Sequence, residues 1–130
     1  MEILLRAALL AWLAEDSFLA ATLNAMVEEA PSRTALPWLA IAASAGADWS
    51  TKDREGRELR VALELHCRGD QPGAAAELTA ALEARVAAMP YSQDTFDLVS
   101  ITFLRSRAEQ RAGNTRAILN EYRFRLLRTV

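Results

Sequence analysis

The clearest pattern in the chain is a strict alternation of apolar and polar residues between Arg57 and Cys67. One set is apolar and comprises Leu59, Val61, Leu63, Leu65 and Cys67; the other is polar and includes Glu58, Arg60, Glu64 and His66. Successive side chains of a β-strand point to opposite faces of its sheet. The alternation therefore predicts a strand whose leucine face belongs to the core.

A second alternation runs through the C-terminal part of the chain. Strands are predicted at 97–107 and 115–127, joined by a turn at Gly113 and Asn114. In the last strand one set alternates with another: Ile118, Tyr122, Phe124 and Leu126 against Leu119, Glu121, Arg123 and Arg125. These two strands are expected to form a hairpin.

Helical spacing appears at the N-terminus and in the middle of the chain. Residues 2–15 carry a stripe formed by Leu5, Leu9, Trp12 and Leu13, and a second short helical piece is predicted from Phe18 to Leu23. A third helix is predicted from Pro72 to about residue 89, with Leu78, Leu82, Val86 and Met89 on its apolar face. Proline suits a first helical turn, and Asp70 or Gln71 is available as its cap.

The region between the first and third helices is predicted to be extended. Residues 24–37 contain two prolines and indicate a short edge strand followed by a loop. From Trp38 a long strand is expected, with a bulge at Gly46. The order α-β-β-β-α-β-β predicts an α+β fold: an antiparallel or mixed sheet of about four to five strands, with the N-terminal helix and one central helix packed on one face. Residues 1–130 are expected to form a single domain.

Composition narrows the functional classes. The 130 residues are 52% hydrophobic and carry a net charge of −2, so nothing in the overall charge requires a nucleic acid or an anionic membrane. A single cysteine excludes an internal disulfide. Glu2 and Arg6 interrupt the apolar N-terminal run, which favours an amphipathic helix over a signal peptide.

The sequence shows no arrangement of side chains that is typical of an enzyme active site. His66 and Cys67 are the only histidine and the only cysteine, and as neighbours on a strand they point to opposite faces. One histidine and one cysteine do not supply the ligand set of a zinc site, and no phosphate-binding loop or nucleophile elbow occurs. We therefore expect no enzymatic activity, no catalytic or metal-binding residues and no cofactor.

One candidate contact surface is the charged segment 49–57, between two predicted strands. It contains Trp49, Ser50, Thr51, Lys52, Asp53, Arg54, Glu55 and Arg57. Two interpretations stay open: a solvated hairpin tip, or an assembly contact that is poorly ordered in the free subunit.

A second candidate surface is basic. Residues 105–128 contain seven arginines against two glutamates, a local excess of five positive charges. The arginines flanking the predicted turn are Arg105, Arg107, Arg111 and Arg116. Either the arginines of this region pair with Glu58 and Glu64 on the outer face of the sheet, or the four face a polyanion or an acidic partner.

Five stretches in order along the chain carry a resemblance to a known family. They are LRAALLAWLAED, EEAPSRTALPWLAIA, DWSTKDREGRELRVALELHCR, AAELTAALEARVAAM and LVSITFLRSRAEQRAGNTRAILNEYRFRLL. The strongest part is Asp48 to Lys52 followed by the strand that begins at Arg57, and the closing aromatic–basic strand is also typical. The chain resembles the tail-completion proteins of long-tailed phages and phage-like gene transfer agents, also called tail terminators or tail-to-head joining proteins.

The resemblance implies a structural role without a cofactor. Such proteins form a ring, commonly a hexamer, at the head-proximal end of the tail tube, where the ring stops tube polymerisation and joins the tail to the head connector. Implied partners are copies of the chain itself, the tube protein, the connector or adaptor protein, and DNA that passes through the lumen without sequence readout. No membrane partner is implied.

The resemblance also assigns expected roles to the two surfaces. Segment 49–57 would be an assembly interface, and the four turn-flanking arginines would face the lumen or a partner. The protein would assemble in the bacterial cytoplasm and then be part of the phage or gene-transfer-agent particle. Two other classes stay open: a small nucleic-acid-binding module that uses the Arg-rich C-terminal hairpin, and a small enzyme.

Overall fold

The computed structural model describes residues 1–29 and 33–129. The helices are α1 (Glu2–Ala14), α2 (Ser17–Thr22) and α3 (Pro72–Ala87). The strands are β1 (Met26–Val27), β2 (Trp38–Asp48), β3 (Gly56–Arg68), β4 (Phe96–Arg111) and β5 (Thr115–Arg128). The predicted α+β class and the order of its elements are confirmed, and the predicted loop before β2 lies partly outside the described residues.

The five strands form one mixed sheet in the order β1-β2-β3-β5-β4. β1 runs parallel to β2 and contacts it only at Leu39 and Ala40, whereas all other neighbours are antiparallel. β3 and β5 therefore lie inside the sheet. β4 is an edge strand, and most of β2 has a strand neighbour on one side only within the described residues.

The core lies between one face of the sheet and the helices. Leu59, Leu63 and Leu65 of β3 are at most 1% exposed, as the alternation predicted. They pack with the stripe of α1, of which Leu5, Leu9 and Leu13 are fully buried. Each such side chain stabilises the fold by about 1.5–3 kcal/mol through burial.

Two side chains join α1 to α3. The indole nitrogen of Trp12 donates to the carbonyl oxygen of Arg85 at 2.7 Å, and Nε of Arg85 donates to the carbonyl oxygen of Trp12 at 2.9 Å. The Arg85 guanidinium also lies 3.3 Å from the centre of the Trp12 ring. This reciprocal contact fixes the two helices against each other above the sheet.

Two local predictions are wrong. The bulge of β2 lies between Ile41 and Ala43, and Gly46 pairs regularly with Leu59. The glycine is instead explained by close packing, because a Cβ at position 46 would lie 2.8 Å from Cδ2 of Leu59. The helix α3 also has no side-chain cap.

The hairpin of β4 and β5 is longer than predicted and carries two irregularities. The predicted turn is confirmed: Gly113 and Asn114 have φ values of 69° and 55°, the left-handed region that glycine and asparagine tolerate best. β4 has register shifts next to Val99 and Leu104. Each shift moves the following side chains to the opposite face of the sheet.

No helix within residues 1–29 and 33–129 combines the length and apolar character that a membrane crossing needs.

Candidate functional site

The face of the sheet opposite the helices, called the open face below, carries a lattice of charged side chains. Residues that pair across strands point to the same side, so the registers of β3, β5 and β4 assign this face directly. Its charged residues are Glu58, Arg60, Glu64, Arg68, Asp97, Arg105, Arg107, Glu109, Arg111, Glu121, Arg123 and Arg125. Seven arginines against five carboxylates leave an excess of two positive charges, smaller than the excess of five counted along residues 105–128.

Most of these arginines have intramolecular partners. Arg105 contacts Glu121 through two nitrogens at 2.9 and 3.0 Å, and Arg125 contacts Glu58 at 3.0 Å. The remaining pairs are Arg107–Glu109 at 3.1 Å, Arg111–Glu109 at 2.8 Å and Arg111–Glu64 at 3.4 Å. Arg125 and Arg111 thus pair with Glu58 and Glu64, as the first interpretation expected, and the contact of the four turn-flanking arginines with a polyanion or a partner stays a prediction.

The ion pairs favour the charged form of two open-face carboxylates, Glu109 and Glu121. The hydrogen bond from Arg105 is the main reason that the pKa of Glu121 lies below its ordinary value. The hydrogen bond from Arg111, followed by the charge of Arg107, lowers the pKa of Glu109 in the same way. At neutral pH the face is consequently an array of fixed opposite charges.

The four turn-flanking arginines do not share one surface. Arg105, Arg107 and Arg111 lie on the open face, whereas Arg116 pairs across the sheet with Cys67, whose side chain is in the core. Arg116 therefore lies on the helix side, where it lines a groove with residues of α3. The pairing next to the turn sets this difference: Arg111 pairs with Thr115 on the open face, so the next residue, Arg116, points to the helix side.

Sequence reasoning missed a pair of like charges at the centre of the open face. Arg60 of β3 lies directly opposite Arg123 of β5. Within the described residues neither forms an ion pair, and Nε of Arg123 is buried without a hydrogen-bond partner. Like charges directly opposite each other destabilise a sheet, so an anionic group bound to the pair would relieve its repulsion. The alternation of β3 places Arg60 on the polar face, but only the strand register reveals its neighbour.

The charged loop between β2 and β3 is held in place by hydrogen bonds. Its ends close through Trp49 N donating to Gly56 O at 3.0 Å and Thr51 N donating to Arg54 O at 2.9 Å. The Arg54 guanidinium donates to the carbonyl oxygen of Arg128 at 2.7 Å and to Asp97 at 2.9 Å. The expectation of a poorly ordered tip does not agree with these contacts.

Several side chains of the loop point into solvent. Ser50, Thr51, Lys52 and Asp53 are exposed, and Arg57 pairs weakly with Asp48 at 3.4 Å and Glu55 at 3.9 Å. Trp49 is half-buried, with the Arg125 guanidinium 5.4 Å from its ring centre. The loop thus presents a polar tip on an anchored base.

The loop and the β4–β5 turn lie at opposite ends of the sheet. β3 starts at Gly56, next to the loop, and ends at Arg68, which pairs with Thr115 beside the turn. Its 13 residues separate the two ends by about 40 Å, at about 3.3 Å per residue. The two candidate surfaces are therefore two separate contact regions.

His66 and Cys67 occupy opposite faces, as predicted. Cys67 is buried in the core, and burial raises the pKa of its thiol. His66 stacks on Trp38 with ring centres 3.8 Å apart, and its Nε2 lies 2.6 Å from Glu64. In the part of the chain that the structure describes, no group of three or more His, Cys, Asp or Glu side chains is placed to hold a metal ion.

Comparison with known proteins identifies the family. A family model described as "Tail completion protein gp17" matches residues 7–127. Among solved structures, a chain from "Virion of native gene transfer agent (GTA) particle" has the same fold, with a TM-score of 0.81, 22% identity and coverage of 95% of this chain and 94% of that chain. No curated protein sequence matches the chain. Since the family model spans nearly the whole sequence, this chain belongs to the tail completion proteins, structural proteins of phage tails.

Proposed function

We propose that this protein forms a ring at the head-proximal end of a tail tube, where it ends tube polymerisation and joins the tail to the head connector. Membership of the tail completion family across residues 7–127 carries the proposal. A structural tail family also agrees with the expectation that the chain is not an enzyme. The function then consists of complementary surfaces and needs no cofactor.

The two ends of the sheet are the proposed contacts with the neighbouring rings. Segment 49–57, with its exposed Lys52 and Asp53, meets one neighbour. The β4–β5 turn, about 40 Å away along β3, meets the other. A tail completion protein needs two distinct surfaces because the tube protein and the connector are different molecules. The anchored base of the loop supports this role, since a preorganised surface loses less entropy on binding.

The open face is the proposed lining of the DNA passage. Arg60 and Arg123 form no ion pair within the described residues, so they are available to phosphates. Arg105, Arg107 and Arg111 lie on the same face but are occupied by glutamates. An excess of two charges per subunit gives a weak, salt-dependent attraction without base readout, which suits DNA that must move through. Arg116, on the helix side, is assigned to a protein contact.

The alternative of a nucleic-acid-binding module is less well supported. Intramolecular ion pairs of Arg105, Arg111 and Arg125 remove much of the positive field that such a module needs. For the isolated chain we expect no retention on DNA at physiological salt. Tight retention there would favour the alternative.

Electron microscopy of particles made without this gene tests the proposal. Its absence should leave heads without tails, together with overlong or unfinished tubes. Supplying the wild-type gene in trans should restore joined particles with tails of uniform length. Normal, joined particles in the deletion strain would contradict the proposed function.

A further inference from the structure

Two long strand edges have no strand partner within the described residues. On β2, pairing with β1 ends at Ala40, which leaves residues 43–48 with β3 as their only neighbour. On β4, the segment 91–93 covers only the start of the strand, so residues 99–111 are open on the side away from β5. Both edges present backbone groups that can pair with another chain.

The open edge of β2 lacks the usual protection against such pairing. It reads Ala43-Ser-Ala-Gly-Ala-Asp48, with no proline and no charged side chain before Asp48. Ala43, Ala45 and Ala47 are exposed. Edge strands of soluble proteins are normally blocked by lysine, proline or a covering loop. Small side chains instead allow a second strand to approach closely.

The two edges carry opposite charge. Residues 1–48, which form α1, α2, β1 and β2, contain six acidic and two basic residues, a net charge of −4. The edge strand β4 itself contains three arginines against Asp97 and Glu109, a net charge of +1. One copy therefore presents an acidic side where the next copy presents a weakly basic edge, which favours head-to-tail association.

Strand direction and position also fit a second copy. β2, β3, β5 and β4 are successively antiparallel, so β4 runs opposite to β2. A neighbour placed beside β2 by rotation about a ring axis would continue the sheet with an antiparallel pair. The register places Ala45 level with Thr102 of β4. Next to Thr102, the edge exposes Val99 and Phe103, which are 45% and 48% exposed.

We infer that residues 43–48 of one copy pair antiparallel with residues 99–105 of the next, so that a continuous sheet closes the ring. The inference rests on the proposed ring and names its subunit interface. The partner is another copy of this chain, held by backbone hydrogen bonds between the two open edges and by the opposite charge of the two sides. In this arrangement the open face of every subunit lies on the same side of the sheet.

Cysteine cross-linking in assembled particles tests the interface. Cells that lack the native gene would express the double variant Ala45→Cys/Thr102→Cys, and purified particles would be treated with a short bismaleimide. Cys67 is 3% exposed and stays constant in every variant. Head-to-tail pairing predicts a ladder of covalent dimers, trimers and larger species from the double variant. The single variants, which supply one cysteine per interface, should remain monomeric.

The outcomes separate this inference from the proposed function. A double variant that assembles normal particles without a ladder overturns the edge pairing, while the deletion experiment still tests tube termination. A dimer from Ala45→Cys alone also overturns it, because that result requires a symmetric contact between two β2 edges.

Charge variants give a second test that does not need cross-linking. Ala45→Lys/Ala47→Lys places positive charge on the edge expected to meet β4, and Val99→Glu/Thr102→Glu places negative charge on the edge expected to meet β2. Each variant should keep the wild-type Tm within a few degrees and fail to support joined particles alone. Co-expression should restore joining, because each variant supplies the edge that the other lacks and the altered edges attract. Full assembly by either variant alone, or no rescue by two folded variants, contradicts the inference.

Discussion

The two faces of the sheet follow different rules. The helix-covered face is built mainly from leucines that are almost fully buried, such as Leu63. These side chains form the core. The open face is built from arginines and glutamates, and it includes the unfavourable pair of Arg60 and Arg123. The first face supplies stability through burial. The second contributes little to stability and is the face on which partners can act.

The largest effect is expected from the helix-covered face. Leu63→Ala should lower the free energy of unfolding by about 2–5 kcal/mol, because it removes a fully buried side chain and leaves a cavity. Urea denaturation followed by circular dichroism measures the change. Lys52→Ala, an exposed loop substitution, serves as the control and should change stability by less than about 0.5 kcal/mol. If Leu63→Ala lowered the free energy of unfolding by no more than the control does, this face would not be the core.

A smaller effect is expected where the loop meets the end of β5. Arg54→Ala removes the hydrogen bonds to Asp97 and to the carbonyl oxygen of Arg128, and should cost about 1 kcal/mol. Lys52→Ala/Asp53→Ala alters only the exposed tip and should leave stability unchanged while reducing the joining of heads to tails. Unfolding curves and particle counts measure the two effects. If the tip variant joined heads to tails as well as the wild type, the loop would be a solvated hairpin tip and not an assembly contact.

At the centre of the open face, stability and function should change in opposite directions. Arg60→Ala relieves the repulsion from Arg123 and should leave the free energy of unfolding unchanged or raise it by up to about 0.5 kcal/mol. If the pair contacts DNA, the yield of particles that deliver DNA should fall. Arg33→Ala, an exposed arginine outside the sheet, is the matched control. If particles with Arg60→Ala delivered DNA as well as the wild type, the proposed contact of Arg60 and Arg123 with DNA would be wrong.

The smallest effect concerns the pH dependence of the open face. Arg105 lowers the pKa of Glu121, so this pair stabilises the fold above the ordinary glutamate pKa of about 4.3. The stabilisation is lost as pH falls through the folded-state pKa. Glu121→Gln should therefore be slightly less stable than the wild type at pH 7, with the difference disappearing in acid. A difference that persists unchanged below pH 3 would contradict the ion-pair explanation.

The fold was predictable because an element with one buried face carries apolar residues at a regular spacing, every second residue in a strand and every three or four residues in a helix. The alternation of β3 and the stripe of α1 follow directly from one buried face each. Contacts between distant segments were not predictable in this way: Arg54 reaches Asp97 and Arg128, which are 43 and 74 residues further along the chain.

The arrangement of charges on the open face could not be predicted from residue spacing within one strand either. The opposition of Arg60 and Arg123 depends on strand register, and the separation of Arg116 from Arg111 depends on how the turn pairs Arg111 with Thr115. No spacing rule within β3 or β5 alone reveals either arrangement, because a shift of one residue reverses the face.

A density map of the particle that contains this protein tests the central claim most directly. The account predicts a ring of copies between the last ring of the tail tube and the head connector. In each copy Arg60 and Arg123 of the open face should point toward the DNA passage, with the helices outside. A map that places the chain elsewhere in the particle, or that turns the helix layer toward the DNA, would contradict it.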